Sequence, residues 1–481
     1  RAMVEKSINV QPGQKILLWF DPAGMPLVKQ MYDACVAKGA IVTFHMRDFE
    51  EDARLLPSLS HEEIFERFAE EKRLVSDADA VLMVRNPNNP EAMQGVPADK
   101  ANAYNNARAN AHERRSIDIS KGGVEWCLFL WPTEYEAKKE GLPLDEYMKL
   151  YFEACNQPWE AIKKAGVKLK EKLDAGETLE LFADYDNEDK RKRTHLKMNI
   201  KGMTFCNSSI DKNYPGAEVF SAPVMDSVEG QVYFPGEYIY NGNKMTGIFL
   251  RFENGKIIEA HAEEGDESLR VILSNGEGAR YLGEVAFGTN PGLTRRFFND
   301  LLNEKVAGSF HIAVGKCYQY TEYGGEPVHV DNGNHDTPNH WDLTRLMHGD
   351  ANGNHSGMVL LDRQILQIGG VFVDPELSIL NPKGVKPKMN EGSQPVLYKK
   401  PWVVDKDELD ILRNITASHG LSVQIVAQPG DGFEIGAADC QIYEGQLGVW
   451  VLGNKKLDPS DDIELLHEID NAWQVSRKAK S

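Results

Sequence analysis

The chain has 481 residues, more than one typical hydrophobic core organises, so two or three domains are expected. Its composition, 41% hydrophobic and 26% charged, is that of an ordinary soluble protein, and 54 Lys and Arg against 73 Asp and Glu leave a net charge of −19. Such an acidic balance repels phosphate backbones and anionic bilayers, which argues against nucleic acid and membrane as partners.

The first part alternates. The run "KILLWF" (15–20) is bounded by Gly13 and Pro22 and followed by a helical pattern through Leu27, Met31, Ala34, Cys35 and Val36, then by "IVTFHM" (41–46). "AVLMV" (80–84) and "VEWCLFLW" (124–131) continue it. Continuous apolar strands alternating with amphipathic helices predict a parallel sheet covered on both faces, in an open α/β domain over residues 1–190. No Gly-x-Gly-x-x-Gly follows the first strand, which disfavours a dinucleotide site there.

Past the highly charged stretch 185–200 the pattern becomes strand-like. "GQVYFPGEYIYNG", "GIFLRFENGKIIEAHAE" and "YLGEVAFG" alternate between Gly punctuation, and Asn254-Gly255 is a strong hairpin signal because both positions tolerate positive φ. The expected fold class is therefore an open parallel α/β domain followed by an α+β catalytic domain rich in antiparallel strands, over 195–380. A Pro- and Lys-rich linker (381–395) leads to an extension, 396–481, with candidate helices at 405–418 and 461–477, strands near 421–427 and 447–452, and no assignable motif.

No apolar run approaches the roughly 18 residues of a membrane helix. The six cysteines form no Cys-x-x-Cys pair, so neither a thiolate zinc site nor a disulfide framework is indicated, and a reducing, cytoplasmic location fits best. Asn207, Asn354 and Asn414 lie in Asn-x-Ser/Thr sequons, weak evidence for secretion in a chain of this length.

The segment "TPNHWDL" (337–343) places His340 and Asp342 two residues apart. In an extended chain both point to one face, as two metal ligands would, or as the polar edge of a strand. Further candidates are Glu218 in "PGAEVFSAP", Glu284 in "LGEVAFGT", Glu304 in "LLNEKVAG", and His311 with Tyr318 in "SFHIAVGKCY". Singly, each has an ordinary explanation: a solvent-facing glutamate, a hydrogen-bonded histidine, a tyrosine packed in the core. Together, three Glu, two His and one Asp are about the number of ligands that two divalent ions consume.

These segments resemble the M29 metallopeptidases, the aminopeptidase T or thermophilic aminopeptidase family. "YPGAEVFSAPVMDSVEGQVYF", "FENGKIIEAHAE", "EGARYLGEVAFGTNPG", "NEKVAGSFHIAVGKCY" and "HWD" follow the family's order and spacing, and with the weaker "VQPGQKILLW" the likeness covers most of 1–375. The resemblance implies a cytosolic exopeptidase that removes N-terminal amino acids from peptides with two divalent ions, zinc or cobalt. It implies Glu218, Glu284, Glu304, His311, His340 and Asp342 as metal ligands, with Glu284 between the ions, and Glu284 and Tyr318 as catalytic residues. It further implies a homodimer in which one subunit's α/β domain covers the other's site. The His- and Asp-rich segment 322–339 and the tail after 381 depart from the family pattern. Two other readings stand beside it: a mononuclear iron ring-cleaving dioxygenase using His311, His340 and Asp342, and a non-catalytic scaffold.

Overall fold

The computed structural model describes residues 1–184, 187, 189–240, 243–348, 357–362 and 364–383, with the strands at 395–397, 421–427 and 447–453. The candidate helices at 405–418 and 461–477, and Asn354 and Asn414, lie outside the described residues. The chain forms two compact units, one of residues 1–361 and 366–385 and one of residues 362–365 and 386–481.

The first unit opens with four parallel strands, β1 (Lys15–Phe20), β2 (Ile41–Met46), β3 (Ala80–Arg85) and β4 (Glu125–Leu130), in the order β2-β1-β3-β4. Burial on both faces explains the continuous apolar runs of β1 and β3, whereas the edge strand β2 departs from the expected two-sided cover, with Ile41, Phe44 and Met46 exposed. Ile16, Leu18 and Phe20 pack with Val28, Met31 and Cys35 of the helix Met25–Ala37, while Leu17 and Trp19 pack with Val75 of the helix Ala69–Asp77. Leaving β1, the chain goes to β2 on one side and later returns to β3 on the other, so β1 and β3 flank a topological switch point.

The strands that follow are β5 (Thr178–Ala183), β6 (Thr194–Asn199), β7 (Cys206–Ser208), β8 (Glu218–Ser221), β9 (Glu229–Tyr240), β10 (Asn243–Glu253), β11 (Lys256–Glu264), β12 (Leu282–Gly288), β13 (Ser309–Gly315), β14 (Glu322–Tyr323), β15 (Glu326–Pro327), β16 (His340–Leu346), β17 (Gly357–Leu361), β18 (Gln364–Ile368) and β19 (Val371–Phe372). They build an eight-stranded sheet, β11-β10-β9-β6-β5-β17-β18-β19, a five-stranded sheet, β16-β13-β12-β8-β7, and the small pair β14-β15. Antiparallel pairing starts at β5, ahead of the charged stretch rather than after it. "TLELFA" is a short apolar run that by itself reads equally well as a last parallel strand.

The two larger sheets share one core, in which Val232, Phe234, Ile248 and Leu250 meet Val285, Phe287, Phe310, Ile312, Trp341 and Leu343. The hairpin at Asn254-Gly255 forms as its sequence predicts, with φ of 48° and 77° and Glu253 opposite Lys256. In the second unit, β20 (Pro395–Leu397), β21 (Leu421–Ala427) and β22 (Leu447–Gly453) form an antiparallel sheet in the order β20-β22-β21.

Candidate metal centre

Strand alternation gives the five-stranded sheet one apolar face and one functional face. Val285, Phe287, Phe310, Ile312, Trp341 and Leu343 enter the core, which turns Glu284, His311, His340 and Asp342 to the other side. Trp341 is 3% exposed and its ring stacks on Tyr240 at 5.2 Å, so the residue between His340 and Asp342 is a core residue.

Room for a ligand comes from the cross-strand partners. Glu284 and Asp342 both face Ala313, His311 faces Ala286, His340 faces Gly315, and Glu218 on β8 faces Gly288. Every candidate on the sheet thus stands beside a side chain of at most one carbon. Gly283 is the extra residue of a β-bulge between Leu282 and Glu284, and a Cβ there would lie 2.3 Å from the Lys316 carbonyl oxygen. At Gly288 a Cβ would meet the Val306 and Glu304 carbonyls at 2.2 and 2.8 Å, so glycine lets the Glu304–Val306 segment lie against the sheet.

The side chains converge on Glu284. Its Oε1 lies 3.4 Å from His311 Nε2 and its Oε2 3.2 Å from His340 Nε2. His311 Nε2 is also 3.6 Å from Glu218 Oε2, and His340 Nε2 3.7 Å from Asp342 Oδ1. Two triplets result among the described residues, Glu218–Glu284–His311 and Glu284–His340–Asp342, each with potential ligand atoms within 4.8 Å of one another, and Glu284 belongs to both. His340 Nδ1 donates to the Lys316 carbonyl at 2.7 Å, which turns Nε2 towards the carboxylates. His340 Nε2 and Asp342 Oδ1 are buried without a hydrogen bond, although carboxylate and imidazole atoms lie this close. Groups placed in this way could hold a cation.

Glu304 caps the end of the short helix Asp300–Asn303 and enters neither triplet. Lys305, a residue not among the sequence candidates, links it to the cluster. Its ammonium, 2% exposed, lies 2.6 Å from Glu218 Oε2 and 2.7 Å from Glu304 Oε2. The only hint in the sequence is a lysine next to a candidate ligand in an otherwise small and apolar run. Tyr318 is half-buried, with its ring 4.7 Å from that of His340 and stacked on Tyr320 at 5.0 Å. The sequence candidates on β8, β12, β13 and β16 are therefore brought together, with Tyr318 beside them and Glu304 joined through Lys305.

The electrostatics call for positive charge. Burial pushes the carboxyls of Glu218, Glu304 and Asp342 up, with neighbouring carboxylates adding to it. Burial acts on Glu284 in the same way, but the adjacent His311 and His340 outweigh it and bring it down to about 2. Against the burial that lowers them, the carboxylates raise His311 to about 8 and His340 to about 10. Burial and the Glu284 and Asp342 carboxylates hold the Tyr318 phenol well above its ordinary range, so it is a hydrogen-bond donor. Glu218 and Glu284, buried, and Glu304 and Asp342, half-buried, stand together with one lysine and two histidines, a set that suits divalent cations.

Comparison with known proteins bears on this geometry. Aminopeptidase T of Thermus thermophilus is 29% identical over 350 residues, covering 66% of this chain and 83% of that protein. Aminopeptidase AmpS of Bacillus subtilis is 26% identical over 351 residues, covering 68% and 85%. The solved structure of wild-type AmpT from Thermus thermophilus superposes with a TM-score of 0.60 at 24% identity, over 78% of this chain and 97% of that one, and so shares the fold. The family described as thermophilic metalloprotease (M29) matches residues 1–351, which contain every carboxylate and histidine of the two triplets. The chain belongs to the M29 metalloprotease family.

Proposed function

We propose that the chain is a metal-dependent aminopeptidase whose ions are held by Glu218, Glu284, Glu304, His311, His340 and Asp342. The observation that carries this reading is Glu284, whose two oxygens face two different histidine-bearing triplets, as a carboxylate shared by two cations does. Oxygen and imidazole donors without a thiolate suit two divalent ions, zinc or cobalt. Bound there, such ions supply Lewis acidity at the scissile carbonyl and a water that ionises near neutral pH.

The chain's own groups do the rest. Glu284 accepts the proton of the attacking water and returns it to the leaving amine. The Tyr318 phenol donates a hydrogen bond to the oxyanion that develops on the former carbonyl. Asp342, at 21% side-chain exposure against 6% for Glu284, is the more open carboxylate and pairs with the substrate's free α-amine, which makes the reaction an exopeptidase one. The names of the relatives support peptide substrates.

The iron reading needs His311, His340 and Asp342 around one ion, and it is not favoured because the histidines fall in separate triplets closed by Glu284. Membership of a hydrolase family disfavours the scaffold. We assign the metal centre to a catalytic domain over 195–380, whose larger sheet β5 completes from the preceding stretch, and distinguish from it an α/β domain over 1–190 and an extension over 396–481. A homodimer and a cytoplasmic location complete the proposal. The five cysteines among the described residues are buried and form no disulfide, which suits a reducing compartment, and light scattering tests the dimer. The function is tested by aminoacyl-anilide hydrolysis before and after chelation. Activity lost on chelation and restored by zinc or cobalt is expected, and hydrolysis indifferent to chelator would overturn the reading.

A further inference from the structure

The C-terminal ends of the parallel strands carry a second charged cluster, which the peptidase chemistry does not use. Trp19 and Asp21 come from the end of β1, His45 and Arg47 from β2, and Arg85 from β3. The helix Ala98–Ala111 and the turn after it add Tyr104, Arg108, His112 and Arg115. Three of them meet at Trp19, where the His112 ring stacks at 4.0 Å and the guanidiniums of Arg85 and Arg115 lie 3.9 and 5.8 Å from the ring, and Arg47, stacked on Phe68 at 3.6 Å, joins them through Glu71, which it shares with His112. This is the switch-point crevice between β1 and β3, where open α/β sheets bind ligands.

The anions of the cluster are largely spent. Asp52 accepts from Arg47 Nε (2.7 Å), Arg67 (2.8 Å) and the Tyr104 hydroxyl (3.1 Å). Glu71 is held by His112 at 2.5 Å, His45 at 2.9 Å and Arg47 at 3.3 Å. Asp21 Oδ2 accepts from Arg85 Nε (3.0 Å) and the Asn86 amide (2.8 Å). Donors remain over. Trp19 Nε1, Arg47 Nη2, Arg85 Nη1, His112 Nδ1 and Arg115 Nε are buried without a hydrogen-bond partner among the described residues. Trp19, Arg47 and His112 are themselves only 4%, 7% and 3% exposed. Burial, with Arg108 and Arg85 nearby, pushes the Arg115 guanidinium down to about 10. Arginines 47, 67, 85, 108 and 115 against Asp21, Asp52 and Glu71 leave a surplus of two positive charges in a chain whose net charge is −19.

We propose that this crevice is a binding site for a phosphoryl dianion, either inorganic phosphate or a phosphomonoester. Two surplus charges match a dianion, and five unpaired donors exceed what the two oxygens of a carboxylate accept. The unpaired Asp21 Oδ1 accepts the single O–H of hydrogenphosphate. The turn after β1, Asp21-Pro22-Ala23-Gly24, offers no glycine-rich cradle, so arginine side chains rather than backbone amides anchor the anion.

The test is calorimetric titration and thermal unfolding of the full-length, metal-loaded protein with inorganic phosphate, with phenyl phosphate and with acetate. Because the metal centre also attracts phosphate, the comparison is with Arg115→Gln and Arg85→Gln at unchanged metal content. Arg108→Gln is added because Arg108 is exposed, so its replacement is expected to leave the fold intact. Saturable phosphate or phenyl phosphate binding that weakens about 10-fold or more in each variant is expected, and the tighter of the two names the source of the phosphoryl group. Phosphate affinity unchanged in the variants, absence of saturation, or acetate binding as well as phosphate would overturn the proposal. Peptidase activity reads the other site, so it survives if only this inference fails.

Discussion

Replacing Lys305 by methionine removes the one ammonium in the carboxylate cluster while roughly keeping its volume. At 2.6 and 2.7 Å from Glu218 and Glu304, each pair attracts by about 6 kcal/mol at an effective dielectric constant of about 20. Desolvation of a side chain only 2% exposed takes much of this back, so removing the partner costs about 3–5 kcal/mol, the range for breaking a buried ion pair. In chelator the cost falls in full, because Glu218 and Glu304 lose the ammonium between them and no ion replaces it, and the melting temperature drops on the order of 5 °C. With excess zinc or cobalt the bound ions replace the missing charge and most of the loss disappears, since a ligand that binds only the folded state stabilises by mass action. Thermal unfolding of both proteins in the two conditions measures this. A deficit equal with and without metal would show that bound ions do not take the place of the Lys305 charge, and no deficit in either condition would refute the electrostatic account of the cluster.

Tyr318→Phe is expected to lower kcat by roughly 100-fold or more with little change in KM or metal content, as kinetics and metal analysis would show, because its hydrogen bond forms in the transition state. Asp342→Asn keeps the shape of the side chain and removes its charge, so equilibrium dialysis should find weaker metal binding while circular dichroism finds the fold intact. Trp341→Ala should do the reverse, costing roughly 3–5 kcal/mol in denaturant unfolding and leaving metal affinity nearly unchanged, since its buried ring lies on the core face. Ala313→Leu fills the floor between Glu284 and Asp342, and metal titration should show loss of binding together with about 1–3 kcal/mol of overpacking strain.

The parts legible in the sequence are those set by local periodicity. Strands β1 and β3 stand out because burial on both faces makes them continuous apolar runs, and His340-Trp341-Asp342 can be read from the two-residue period of a strand, with the tryptophan inward. The pairing that unites Glu218, Glu284, His311 and His340 is between strands remote in the chain, and it reached the sequence reading only through resemblance to a family. Lys305 is marked in the sequence only by its place next to a candidate ligand, which does not reveal its role. Its role depends on Gly288 admitting its segment to the sheet, a contact between distant backbones. The bulge at Gly283 was hidden for the same reason, and β5 was ambiguous because a short apolar run fits either kind of sheet.

The central claim is that Glu284 is shared by two cations. Anomalous diffraction from crystals soaked in zinc or cobalt tests it most directly. The account predicts two peaks on either side of the Glu284 carboxylate, about 3.5–4 Å apart, one next to His311 and Glu218 and the other next to His340 and Asp342. A single peak bound by His311, His340 and Asp342 together, with Glu284 free of it, would contradict the account.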